Sequence, residues 1–276
     1  MKYCVVTTFH AQGYANYGQR MIQTFLQTWP RLVDLVVYAE NCTVAEAASN
    51  LEVRDIAVCQ DLTAFKQQWH NVPKANGNIT RDPQRRSRVD AKKSFKWDAV
   101  RFAHKVYSIF HCAMHSTADV LIWMDADIVC HSAVTMADLD RLCPPDYDLC
   151  YLGRRGKFSE CGLYAMKLHS AATRKFLNEF QRMYDHAERG IFRLDEWHDS
   201  FVFDDVRTRT PGLKQLNWSA HLRDIRPRKT MSPGEGHPLI NCEWGAYLDH
   251  LKGDRKKLGR SQPSDLKVPR SEAYWQ

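Results

Sequence analysis

The chain lacks the features that mark several large protein classes. No apolar run approaches the length of a membrane span. The opening MKYCVVTTFH is too short an apolar stretch for a signal peptide, and Gln12, Tyr14 and Asn16 stand where a cleavage site needs small residues. No two cysteines have the CxxC spacing, so a zinc cluster is not expected. The nine cysteines are odd in number and irregularly placed. Several, such as Cys4 and Cys130, sit in apolar segments where a thiol acts as a small hydrophobe. They read as reduced structural thiols, which points to a cytoplasmic protein. There is no GxGxxG after the first apolar run and no GxxxxGK[ST], which excludes the dinucleotide fingerprint and the P-loop. No internal repeat and no linker divides the chain.

What is present is the composition of a folded globular protein, 276 residues with 44% hydrophobic and 26% charged side chains. One domain over 1–260 is expected, followed by a polar tail over 261–276 that carries Pro263 and Pro269. Tyr274 and Trp275 at its end suggest that the tail docks. The net charge is +7, and two stretches hold more than all of it. Segment 74–96 contains Lys74, Arg81, Arg85, Arg86, Arg88, Lys92, Lys93 and Lys96 against Asp82 and Asp90. Segment 252–260 contains Lys252, Arg255, Lys256, Lys257 and Arg260 against Asp254. Such fields favour an anionic partner, a nucleotide diphosphate or a nucleic acid, although solvated loops have the same look.

Along the chain, Lys2–Phe9 reads as a strand, His10–Gly18 as a loop, Arg20–Trp29 as a helix ending before Pro30, and Leu35–Ala39 as a second strand. That βαβ opening implies a parallel sheet flanked by helices. Asn71–Ser94 reads as a long mobile loop or lid, and Phe95–His111 as a helix with Trp97, Val100, His104 and Tyr107 on one face. Met136–Leu142 is a short helix. Asp148–Leu152 and Gly162–Leu168 are strands around the loop Gly153-Arg154-Arg155-Gly156. Ala171–Tyr184 is a helix with Leu177, Phe180 and Tyr184 inward. The run RLDEWHDSFVFDDV reads as an acidic helix that buries Trp197 and Phe201 and turns Glu196, His198 and Asp199 to a cleft. Leu213–Trp218 is a strand, Arg226–Pro238 a loop and Trp244–Leu251 a short helix.

The stretch that organises the rest is ADVLIWMDADIVC, Ala118 to Cys130. Val120–Met124 reads as a strand buried on both faces. It stops at Asp125-Ala126-Asp127, two carboxylates that are costly there unless a cation or donors stabilise them. The C-terminal edge of an α/β sheet is where such folds bind ligands. Oxygen ligands of this kind suit Mg²⁺ or Mn²⁺ bridging to a diphosphate. Taken alone, the same residues also fit a strand end with capping aspartates.

The order of three features carries a resemblance. An N-terminal βαβ unit precedes a strand ending in Asp-x-Asp. An acidic segment follows, and His250-Leu-Lys-Gly253-Asp-Arg-Lys256 lies near the end. This resembles glycosyltransferases of the GT-A fold, with the His-x-x-Gly-x-x-Lys spacing of the glycogenin-like and lipopolysaccharide galactosyltransferase-like retaining enzymes. The resemblance implies a single α/β domain with a Rossmann-like nucleotide-binding half and an acceptor half. It implies a metal-dependent transfer of a sugar from a nucleotide sugar, a UDP-sugar by preference, to an acceptor hydroxyl. Asp125, Asp127 and His250 would be the metal ligands, and Gly253 and Lys256 would meet the diphosphate. Thr7, Thr8, Phe9 and Tyr17 would hold base and ribose, and Arg101, with Asp98 and Lys96, would lie near the phosphates. Asp199 would be the reaction-centre carboxylate, with Glu196 and His198 beside it. The loop Phe158–Cys161 would meet the donor sugar and acceptor. Lys257-Leu258 follows Lys256 where the family usually has Pro-Trp. Two other readings stay open: a glycosyltransferase whose acceptor is a modified DNA base, and a non-catalytic nucleotide- or nucleic-acid-binding module.

Overall fold

The computed structural model describes residues 1–79, 91–154, 156–223 and 237–276, with backbone alone at 91–93 and 223. The first strand, β1 (Tyr3–His10), runs directly into helical structure: α1 (Ala11–Gly13), a π turn over Tyr14–Gly18, and α2 (Gln19–Thr28). The loop expected over 10–18 is therefore helical. The His10 ring accepts the Gly13 N–H and starts the helix, although two glycines suggested a turn. Those glycines serve close packing instead: a Cβ on Gly13 would stand 2.8 Å from the Tyr17 hydroxyl, and one on Gly18 2.8 Å from the Phe9 ring. The chain returns as β2 (Asp34–Glu40), parallel to β1 with Cys4 opposite Asp34. Two elements that the sequence reading did not anticipate follow, β3 (Leu51–Asp55) and α3 (Gln60–Trp69).

Helix α4 (Ala99–His115) starts and ends later than 95–111, because the Asp98 carboxylate accepts the Arg101 N–H and fixes the first turn there. It is followed by β4 (Val120–Met124), buried at every position, β5 (Ile128–Cys130) and α5 (Met136–Leu142), the last at its expected bounds. A hairpin of β6 (Leu149–Arg154) and β7 (Lys157–Lys167) follows, so Phe158–Cys161 is strand, not loop. Next are α6 (Ala171–Asp185), α7 (Asp199–Arg209), β8 (Gln215–Asn217), α8 (Pro238–Asn241), β9 (Leu248–His250) and α9 (Arg255–Leu258). The acidic helix begins only at Asp199, since the His198 ring accepts the Phe201 N–H as its cap. Glu196 thus precedes the helix, and Phe201 is half-buried while Trp197 is fully buried.

No helix forms over 244–251. The Trp244, Leu248 and Leu251 spacing that suggested one belongs to a 3₁₀ turn, Glu243–Ala246, and then to β9, which pairs antiparallel with β5 and sets His250 opposite Ile128. Nonlocal pairing overrides local period here. Of the lid expected over 71–94, residues 80–90 lie outside the described residues, as do Arg155 and most of the loop expected over 226–238.

The main sheet has the order β3-β2-β1-β4-β7-β6-β8. It is parallel throughout except at β7, which runs against both its neighbours β4 and β6. A mostly parallel α/β sheet flanked by helices is thus what the chain forms. Alternate residues feed two apolar layers. Cys4, Val6, Leu121 and Trp123 face α3, α4, α6 and α7, and Tyr3, Val5, Ile122 and Met124 face α2, α5 and α8. Sequence order reverses between β1 and β4, so their C-terminal ends flank a topological switch point, where a crevice opens. Among the described residues, no helix is long and apolar enough to cross a membrane.

The last residues pack against β9. Tyr274 donates to Asp249 at 2.8 Å, Ser261 gives Asp249 both its N–H and its hydroxyl, each at 2.7 Å, and the Trp275 indole donates to the Gly245 carbonyl at 2.8 Å. Asp249 is fully buried, and these donors are what stabilise its charge.

Candidate functional site

A cleft of about 1630 Å³ opens at that switch point, lined among others by Thr8, Phe9, Tyr17, Lys105, Asp125, Asp127, Asp199, His250 and Lys256. Its volume exceeds what a single small ligand needs.

Asp125 and Asp127 leave β4 in a turn held by the Asp125 N–H to the Gly162 carbonyl at 2.8 Å. Strand β9 then delivers His250 alongside them. His250 Nε2 lies 2.9 Å from Asp127 Oδ1 and 3.7 Å from Asp125 Oδ2. The three residues offer ligand atoms that all lie within 4.8 Å of one another. One nitrogen and carboxylate oxygens are a donor set suited to Mg²⁺ or Mn²⁺. On the other side of Asp127, Lys256 Nζ is 2.9 Å from Oδ2 and sits 4.4 Å from the centre of the Tyr17 ring. Burial works to raise the Asp127 pKa, but His250 and Lys256 outweigh it and hold the carboxyl well below the usual range. Burial likewise works against the charged form of His250, and Asp127 more than offsets it, so the ring titrates above an ordinary histidine.

The residue that links this group to the acidic helix belongs to no motif in the sequence. Lys105, buried on α4, reaches Asp125 Oδ1 at 3.0 Å and Asp199 Oδ2 at 2.7 Å and donates also to the Cys161 carbonyl. Its ammonium lies 4.8 Å from the centre of the Trp123 ring, whose indole N–H in turn donates to Asp125 Oδ1 at 2.7 Å. Burial alone would push this lysine towards neutrality. The two carboxylates prevail and hold it well above the lysine range, while Lys105 keeps Asp199 below the carboxylate range against its own burial. Lys105 lies one helical turn beyond Arg101 on the same stripe of α4. A lone lysine among Ala103, Val106 and Tyr107 was the available signal.

The remaining candidates are distributed as follows. Thr8, Phe9 and Tyr17 line the cleft, with the Thr8 hydroxyl donating to the Tyr38 carbonyl at 2.8 Å, whereas Thr7 is buried and does not line it. Lys96, Asp98 and Arg101 line it too. Lys96 is paired with Glu196 at 2.6 Å, and Asp98 spends its carboxylate on capping α4. His198 and Asp199 reach the cleft, and Glu196, outside it, holds His198 Nε2 at 2.9 Å. Gly253, at φ +67, lets the chain turn between His250 and Lys256. Of the strand Phe158–Cys161, Phe158, Glu160 and Cys161 line the cleft and Ser159 turns away to Asp204.

Gly162 is where β7 passes closest to this group. A Cβ there would stand 2.4 Å from His250 Cε1 and 3.3 Å from Asp125 Oδ2. Gly162→Ala is therefore expected to displace the His250 ring, lowering Mn²⁺ affinity at least tenfold, and to cost about 1–3 kcal/mol of stability by overpacking. Calorimetric Mn²⁺ titration beside a thermal melt checks both.

No protein-family model and no curated protein matches the sequence. Among solved structures, the chain is similar to a mouse xyloside xylosyltransferase 1 at 12% identity over 78% of this chain and 85% of that one, with a TM-score of 0.42. It is similar to galactosyltransferase LgtC, in complex with donor and acceptor sugar analogues, at 10% identity over 84% and 81%, with a TM-score of 0.46. It is similar also to WbbM, a bifunctional glycosyltransferase, at 9% identity over 79% of this chain but only 38% of that one, with a TM-score of 0.43. These neighbours are glycosyltransferases. At such scores the likeness carries no weight for this chain's chemistry, which rests on the cleft itself.

Proposed function

We propose that this chain is a metal-dependent glycosyltransferase of the GT-A type that moves a sugar from a nucleotide diphosphate donor, UDP-sugar by preference, to an acceptor hydroxyl. The observation that supports it is convergence. Asp125 and Asp127 meet His250 and Lys256, more than 120 residues away in sequence, at one end of the mostly parallel sheet, and Lys105 ties them to Asp199. A capping role for the two aspartates explains neither the histidine nor the two lysines.

A divalent cation held by Asp125, Asp127 and His250 would supply charge stabilisation for the departing diphosphate. Lys256, accessible at the rim and charged, is placed to meet phosphate oxygens, which gain negative charge as the sugar bond breaks. Phe9 and Tyr17, with Thr8, form the wall that would take the base and ribose, and Arg101 adds a cation at the opening. Asp199, kept ionised by Lys105, faces the region where the sugar carbon becomes cationic. There it would stabilise that carbon or accept the acceptor's proton. Lys105 holds both carboxylates in place while the reaction proceeds, a positioning task that needs no motion.

The DNA-acceptor reading gains little from the second basic stretch, where Lys252 pairs with Glu160, Arg255 with Asp265 and Lys256 with Asp127, so three of its five cations are engaged within the protein. Arg81, Arg85, Arg86 and Arg88 of the first stretch lie outside the described residues. A thermal-shift screen of nucleotide sugars with and without Mn²⁺ tests the donor. One UDP-sugar is expected to raise the melting midpoint only when metal is present, by mass action. A flat screen across donors contradicts the reading.

A further inference from the structure

Behind the metal-facing edge of His250 lie two more buried side chains, Glu160 and His237, to which the proposed reaction gives no role. Glu160, His237 and His250 are 3%, 6% and 1% exposed. Glu160 Oε2 is 3.3 Å from His237 Nε2 and 3.3 Å from an Arg154 guanidinium nitrogen, and Lys252 Nζ stands 3.2 Å from both carboxylate oxygens. His237 Nδ1 accepts the Leu239 N–H, so the neutral ring carries its proton on Nε2, aimed at Glu160. His250 Nδ1 is buried without a hydrogen-bond partner among the described residues, and Glu160 Oε1 faces it at 4.0 Å.

His250 Nε2, at 2.9 Å from Asp127, bears a proton while it donates there. A cation bound at Asp125 and Asp127 needs the Nε2 lone pair, so the neutral ring must then carry its proton on Nδ1. That nitrogen is buried, and the Glu160 carboxylate is the acceptor that lies 4.0 Å from it. Ligating histidines characteristically donate their second nitrogen to such a carboxylate, which fixes tautomer and ring orientation. Arg154 and Lys252 already neutralise Glu160 and make it a poor metal ligand in its own right, while His237 Nε2 lies 3.3 Å from its other oxygen without a hydrogen bond among the described residues. We propose that Glu160 is a positioning residue that accepts a hydrogen bond from the His250 Nδ1–H, the proton staying on the ring, and so holds the ring in its metal-ligating form. This rests on the metal reading of the Asp125, Asp127 and His250 group.

Two measurements test it. The first is Mn²⁺ binding, followed by the electron paramagnetic signal of the free ion, in wild type, Glu160→Met and Glu160→Gln. Glu160→Met, which offers no acceptor, is expected to bind about 10–100-fold more weakly. Glu160→Gln, which keeps an acceptor oxygen, is expected to recover part of the loss. The second needs no variant of Glu160. Proton–nitrogen spectra of wild type with one equivalent of diamagnetic Zn²⁺, assigned with His250→Gln, are expected to show the His250 proton on Nδ1. Equal Mn²⁺ affinity in wild type and Glu160→Met, or a loaded His250 protonated on Nε2, overturns the role of Glu160 and leaves the metal reading standing. Wild type that binds no Mn²⁺ overturns both.

Discussion

Asp127→Ala is expected to lose metal-dependent nucleotide binding by more than about a hundredfold, on the order of 3 kcal/mol, while the protein stays folded. Asp125→Ala is expected to do the same. Each substitution removes one charged oxygen ligand from a group of three, and a hard divalent cation is held mainly by such oxygens. Folding survives for a reason visible in the geometry. The partners that Asp127 leaves behind are Lys256, whose side chain is 35% exposed and can turn to water, and His250, which can shed its charge. Asp125 is 29% exposed and Lys105 keeps Asp199 when it is gone. His250→Ala is expected to weaken the metal less than either change, since the carboxylates supply the charge. Calorimetric titration of UDP with and without Mn²⁺ measures all three. Unchanged affinity in both aspartate variants contradicts the assignment.

The second large effect is at Lys105. Lys105→Met keeps the side chain's length and its packing on Trp123 but leaves Asp199, 6% exposed, without its cation. Removing one partner of a buried pair typically costs about 3–5 kcal/mol, and losing a fixed charge at the reacting centre typically costs roughly 10²–10³ in turnover. Both losses are expected in the single variant. The double change Lys105→Met with Asp199→Asn separates them, because neutralising Asp199 removes the uncompensated charge. Stability is expected to return towards wild type while turnover does not. A double variant as unstable as Lys105→Met, measured by thermal or urea unfolding, shows that Lys105 matters for packing and not for pairing.

How much of this was legible in the sequence follows from where the information is local. β4 was clear because a strand buried on both faces is a continuous apolar run, and α5 because Thr135 caps it and Pro144 follows it. The aspartates stood out for the same reason, as charge at the end of an apolar run. β3 was hidden because an edge strand only partly buried along its length has no strong period. β9 reads as helix because three residues paired with a strand more than a hundred positions away leave no local trace, and the apolar spacing around them mimics a helix. Lys105 is less conspicuous than Arg101 in the sequence, since its partners lie just past β4, on β7 and on α7. Glu160 reads as loop because the sequence gives no sign that β7 extends back to Lys157 past a register shift. In each case the residue's role is set by a neighbour that only the fold supplies.

The most direct measurement of the whole account is the release of free nucleoside diphosphate from a nucleotide sugar, followed with Mn²⁺ and again with a chelator, in wild type and Asp199→Asn. Metal-dependent release by wild type, abolished by the chelator and reduced by roughly 10²-fold or more in Asp199→Asn, is the predicted result. Binding of UDP with no release from any nucleotide sugar, or release indifferent to both metal and Asp199, contradicts it.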